Sequence, residues 1–196
     1  MPQSPDKNNI NNVKRLFIAI DLPLNVKSYL HEQAKKYFGS EKAIRIIPAE
    51  NIHLTLKFLG DTDISKIQKI SKAIKETSDN FNNFHFKLAS KYEAFPSVYS
   101  PRILFAGAGP GADKIKELFH MLENNLAKIR IKKEERGFVS HITLARVREK
   151  VELSTIFENV KLSYPETLHC DRLTLFESKL NPGGAQYIII EEFALK

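Results

Sequence analysis

Apolar residues recur in this chain with two periods. Branched runs and strict alternation mark strands, and spacings of three and four mark helices. "RLFIAIDL" (Arg15 to Leu22) is an apolar run of strand length. Asp21 and Pro23 then read as a helix start, and Val26, Tyr29, Leu30, Ala34 and Tyr37 keep helical spacing up to a stop at Gly39. "AIRIIP" is a short strand ended by Pro48, and "NIHLTLKFLG" (Asn51 to Gly60) alternates as the next strand. Ile64, Ile67, Ile70 and Ile74 mark one face of a second helix. "FHFKLASKYEAF" and "RILFAGAG" read as strands around a loop holding Pro96 and Pro101. Ile115, Leu118, Phe119, Leu122, Leu126 and Ile129 give the clearest helical stripe. "SHITLARV" (Ser140 to Val147) is a second alternating strand, and "LTLFESKL" and "AQYIIIEEF" flank "NPGG" as a hairpin. This order is not a regular βαβα alternation, so it predicts an α+β fold with largely antiparallel sheet. Each half holds a strand, a helix and a His-x-Thr strand, which predicts a duplicated, two-lobed architecture.

Length adds that 196 residues suffice for one domain with a real interior. No linker rich in Gly, Ser or Pro divides the chain. The polar start, MPQSPDKNNINN, lacks the apolar core of a signal peptide, so residues 1–13 are expected as a disordered tail and 14–196 as a single two-lobed domain. No stretch approaches the roughly 20 apolar residues of a membrane span. A single cysteine, Cys170, excludes an internal disulfide and a multi-cysteine metal cage. The expected location is the cytoplasm. A net charge of +7 tilts the partner towards polyanions such as nucleic acid or anionic lipid, though the basic residues form no tail.

Candidate chemistry sits on the two alternating strands. With period two, His53, Thr55 and Lys57 share one face, and Leu54, Leu56 and Phe58 take the core face. His141 and Thr143 share a face in the same way, backed by Ile142 and Leu144. A lone histidine on a strand is usually structural, and threonine is a good strand former. Two copies of His-[Leu/Ile]-Thr-Leu, 88 residues apart, are harder to dismiss. An imidazole exchanges protons near neutral pH, and each such role is typically worth about 10²- to 10⁴-fold in rate. Threonine hydroxyls donate to non-bridging phosphate oxygens. Arg146 offers a guanidinium for the same phosphate. Strict alternation puts Arg146 on the face opposite His141, so it reaches the site only if the strand ends, bulges or twists after Leu144.

"HLTL" and "HITL" resemble the paired His-x-Thr signatures of the 2H phosphoesterase superfamily. The chain is more closely similar to LigT/ThpR-type RNA 2′,3′-cyclic phosphodiesterases, historically called 2′-5′ RNA ligases. "RLFIAIDLP", "PAENIHLTLKFLG", "RILFAG", "HITLAR" and "LTLFESKLNPGGAQY" stand in family order from Arg15 to the C-terminus. The resemblance implies a two-lobed α+β fold with a central cleft, and metal-independent opening of a 2′,3′-cyclic phosphate to a 2′-phosphomonoester. It implies His53 as general acid and His141 as general base. It also implies Thr55, Thr143 and Arg146 as phosphate ligands. No cofactor and no metal are expected. The expected partners are RNA with 2′,3′-cyclic phosphate ends or cyclic nucleotides, met by a monomer. Two departures bear on the cleft wall. Ile46 and Ile47 stand where the family usually has an aromatic, and Ser140 stands where it usually has Pro.

Two rival functions stay open: 2′-5′ RNA ligation by the same pair run backwards, and a non-catalytic module that binds nucleotides or RNA ends. His31, His85, His120 and His169 lack the threonine pattern and read as surface or structural. Neither HExxH nor a histidine–carboxylate cluster marks a zinc site. Lys57 reads as a solvated lysine beside the substrate face, and "GAGPG" (Gly107 to Gly111) as a turn, since no Gly-Lys-[Ser/Thr] follows it.

Overall fold

The computed structural model describes residues 12–182 and 184–196. Among these residues, ten strands and four α-helices follow one another as β1 (Val13–Asp21), α1 (Leu24–Phe38), β2 (Ile44–Ile46), β3 (His53–Asp63), α2 (Ile67–Asp79), β4 (Phe84–Phe86), β5 (Leu88–Phe95), β6 (Ile103–Ala108), α3 (Ala112–Lys128), β7 (His141–Val147), α4 (Ser154–Asn159), β8 (Leu168–Cys170), β9 (Arg172–Asn181) and β10 (Gly184–Ala194). The tail expected over residues 1–13 lies outside the described residues up to position 11, and Val13 already opens β1.

One antiparallel sheet runs in the order β10-β9-β1-β3-β7-β6-β5, with β2 added along β7. Its halves meet at a single residue pair, Leu54 with Ile142. The fold is therefore α+β, with two lobes and a seam between the two His-x-Thr strands. The helices interleave the lobes. α1 follows β1 but packs on β2 and β7, whereas α3 follows β6 but packs on α2 and β3.

β1 reads as a continuous apolar run because both its faces are covered. Leu16, Ile18 and Ile20 enter the main core, with Leu54, Ile142 and the helix stripes. Phe17 and Ala19 join Phe176 and Tyr187 in a second cluster on the opposite face. The stripe on α3 buries Ile115, Leu118, Phe119, Leu122 and Leu126, as its spacing predicts.

Three local expectations differ. "FHFKLASKYEAF" is two strands, because β4 leaves the main sheet to pair with β8. Asp21 does not cap α1: Pro23 holds that position, and the Asp21 carboxylate pairs with Lys27 at 2.6 Å. Ile64 precedes α2 in a 3₁₀ turn and stays exposed.

Candidate active site

Each His-x-Thr strand carries a bulge at the same place. On β3, Thr55 pairs with Ala19 but Lys57 pairs with Ile18, so Leu56 is an extra residue. On β7, Thr143 pairs with Phe105 but Ala145 pairs with Leu104, so Leu144 is an extra residue. An inserted residue reverses the alternation beyond it.

This answers the doubt over Arg146 and corrects two readings on β3. Arg146 turns onto the face of His141 and Thr143 and is exposed there. Phe58 does not enter the core: it is 68% exposed on the face of His53 and Thr55. Lys57 is not solvated but only 7% exposed. Its Nζ pairs with Glu123 Oε1 at 2.8 Å and donates to the Lys132 carbonyl at 2.7 Å. A buried cation persists only with such partners.

The pairing of Leu54 with Ile142 points both side chains to the core. His53, Thr55, His141 and Thr143 therefore flank the seam on the other face. Both imidazoles are held alike. His53 Nδ1 lies 2.8 Å from the Asn51 carbonyl, and His141 Nδ1 lies 2.8 Å from the Val139 carbonyl. A carbonyl only accepts, so each Nδ1 carries hydrogen and each neutral ring is left with Nε2 as its acceptor nitrogen. Thr55 Oγ1 donates to the neutral His53 Nε2 at 2.9 Å.

The two histidines differ in their surroundings. His53 stands against the rings of Phe17 and Tyr187, at centroid distances of 4.9 and 5.2 Å. Burial pushes its pKa down to about 4, against the opposing pull of the Asn51 carbonyl and the Asp21 carboxylate; Lys27 and His141 depress it further. His141 meets Phe95 and Phe105 edge to face, at 5.2 and 5.6 Å. It pairs with Gly107 on β6, where a Cβ would come within 3.1 Å of Glu93 Oε1. Gly107 thus belongs to the strand beside His141, and the turn read in "GAGPG" begins after it.

Sequence reasoning missed Asp21, Asn51 and Tyr187 around His53. Asn51 stands two residues before His53, whereas only the strand register and the hairpin bring Asp21 and Tyr187 there. The other histidines stand apart. His31 bonds the Ile47 carbonyl at 2.9 Å, His85 stacks on His169, and His120 packs on Phe119. Among the described residues, no group of three or more His, Cys, Asp or Glu side chains is placed to hold a metal ion, and no helix is long and apolar enough to cross a membrane.

A model of the 2′-5′ RNA ligase superfamily matches residues 28–182. The RNA 2′,3′-cyclic phosphodiesterase of Methanocaldococcus jannaschii is 30% identical over 183 residues, covering 91% of this chain and 99% of that protein. The protein of the same name from Thermotoga maritima is 32% identical over 181 residues, covering 91% and 94%. A crystal structure of E. coli LigT complexed with 3′-AMP matches with a TM-score of 0.79 at 26% identity, covering 94% of this chain and 99% of that one.

Proposed function

The chain belongs to the 2′-5′ RNA ligase superfamily, and we propose that it is an RNA 2′,3′-cyclic phosphodiesterase that works with two histidines and no metal. The observation that carries this reading is the matched tethering of His53 and His141. Each Nδ1–H is tied to the carbonyl two residues back, which aims an Nε2 from either side of the seam.

The neutral His141 takes a proton from water, and the oxygen attacks phosphorus. The bond from phosphorus to O3′ breaks, and protonated His53 gives its proton to O3′. The product is a 2′-phosphomonoester. Thr55, Thr143 and Arg146 hold the non-bridging oxygens, where charge accumulates.

His53 is neutral in the free cleft at neutral pH, because burial disfavours its charge. An anionic phosphodiester a few ångströms away favours the imidazolium. Substrate binding therefore charges the acid. It also draws the Thr55 hydroxyl from His53 Nε2 to the phosphate.

The test is hydrolysis of a nucleoside 2′,3′-cyclic phosphate in EDTA, with the product assigned by phosphorus NMR. A 2′-phosphate formed by the wild type and lost in both His53→Ala and His141→Ala is expected. Turnover that vanishes with EDTA yet survives His53→Ala refutes the mechanism. Ligation is the same chemistry with a 5′-hydroxyl in place of water, and an excess of such an acceptor reveals it. Tight binding without turnover would mark a binding module instead.

A further inference from the structure

β1 ends beside His53 on a charge. Asp21 is its last residue and pairs directly with His53 on β3. Residues that face each other across an antiparallel pair leave the sheet on the same side, with Cβ atoms about 4.5–5.5 Å apart. Phe17 confirms the side. It stands on the same face of β1 as Asp21, and its ring lies 4.9 Å from that of His53. The Asp21 carboxylate is therefore a neighbour of the imidazole. It is also shared. Lys27, in the first turn of α1, places its Nζ 2.6 Å from Asp21 Oδ1. The same Nζ lies 3.5 Å from the carbonyl of Glu50, the residue before the Asn51 that tethers His53. A lysine there opposes the helix dipole, and an ion pair partly open to solvent adds little to stability. Neither the helix nor the fold accounts for the pair.

Both ring nitrogens of His53 already have partners, the Asn51 carbonyl and the Thr55 hydroxyl. Asp21 thus acts on the ring through its charge and not through a hydrogen bond. The charged and titratable groups that act on the ring come from several elements: Asp21 from β1, Lys27 from α1, His141 from β7 and, in ring contact, Tyr187 from β10. Tyr187 stays a neutral phenol, since burial raises its pKa. Among these groups Asp21 favours an imidazolium, and Lys27 and His141 oppose it. We propose that Asp21 is a positioning residue that acts through His53, holding a standing negative charge beside the proton that the acid delivers, and that Lys27 limits its pull by sharing the carboxylate. The pair is then a setting for the acid and not a brace for the fold. This rests on the acid role proposed for His53.

The two members of the ion pair give opposite predictions, which a brace does not. On the alkaline side of the kcat profile, turnover is proportional to the fraction of His53 that keeps its proton, whichever histidine titrates first. Asp21→Asn should lower kcat there about tenfold, the effect of losing an opposite charge a few ångströms away. Lys27→Gln should raise it about threefold, and Asp21→Glu should restore most of what Asp21→Asn loses. Imidazole NMR titration of the same proteins, with and without a nucleoside 2′-monophosphate, reads His53 without turnover. Its ionisation should move down in Asp21→Asn and up in Lys27→Gln. Shifts of the same sign in the two variants, or none, would overturn the inference and leave the pair a structural contact. Opposite NMR shifts with an alkaline kcat that does not follow would keep Asp21 as the counter-charge and sink the acid role of His53 instead. Should Asp21→Asn fail to fold, Lys27→Gln decides alone, since loss of a brace does not raise alkaline kcat.

Discussion

Lowering the pH from 7 to 5 should destabilise this protein through one side chain. His53 has its pKa lowered from 6.5 to about 4 by burial against Phe17, Phe176 and Tyr187. Between these two values the unfolded chain binds a proton at this site and the folded one does not. Stability therefore rises with pH in that window. The contribution is fully present above the unfolded pKa, declines as pH falls below it, and is gone once pH passes below the folded value. The full shift corresponds to about 3 kcal/mol, of which about 2 kcal/mol is lost by pH 5. The assay is urea unfolding of the wild type and His53→Gln at both pH values. Glutamine does not titrate, so the difference in stability between the two proteins should change by about 2 kcal/mol in favour of the variant on going to pH 5. A difference that stays constant would refute the buried-neutral reading of His53. The catalytic corollary is also directional: the ionisation belonging to His53 should lie higher in kcat, which reports the complex, than in kcat/KM, which reports the free protein.

Two further outcomes test the geometry around the site. Lys57→Met should cost about 3–5 kcal/mol in urea unfolding, because it strands a buried Glu123 that also accepts from the Glu134 backbone N–H at 2.7 Å. Lys57→Met/Glu123→Leu should recover part of that loss, and a double variant no better than the single would mean the charge pair is not the cause. Gly184→Ala should lower stability by about 1–3 kcal/mol, since φ is +133° there and the new Cβ meets the Arg45 guanidinium. Gly137→Ala, with nothing within 4 Å of its Cβ, should stay within about 0.5 kcal/mol, and thermal unfolding separates the two.

The fold was legible where one face of an element decides its partners. The α3 stripe, the β9–β10 hairpin and the first four residues of each His-x-Thr strand follow from local period. The site was legible as far as His53, Thr55, His141 and Thr143 sharing one face. It stopped being legible one residue later. "HLTLKFLG" alternates without a flaw, so it hides the bulge at Leu56 that buries Lys57 and exposes Phe58. The partner that Lys57 meets inside is a carboxylate on α3, Glu123, far away in sequence, and a local pattern does not report a long-range charge pair. The pocket lined by Arg15, Arg45 and Arg146 was illegible for the same reason. Arg15, Arg45 and Arg146 come from three strands, and the single arginines are ordinary surface residues until the sheet brings them together.

The duplicated bulge separates what the two lobes share from what they do not. The tethered histidine, the threonine and the inserted leucine are common to both, so the scaffold for two Nε2 atoms is symmetric. Beyond the bulge the equivalent residues are Phe58 on β3 and Arg146 on β7, one apolar and one charged. The surroundings diverge in the same sense. His53 has an aromatic floor and a carboxylate beside it, whereas His141 has Gly107 opposite and two ring edges. Two identical sites would let either imidazole serve as acid or as base, so any assignment of roles must come from what differs between the lobes. Here the motif supplies position and the lobes supply the difference. Exchanging the environments should therefore change the roles more than exchanging the motifs: His53→Ala and His141→Ala should remove opposite limbs of the pH–rate profile from any residual activity. Loss of the same limb in both would mean that the asymmetry of the lobes does not assign the roles.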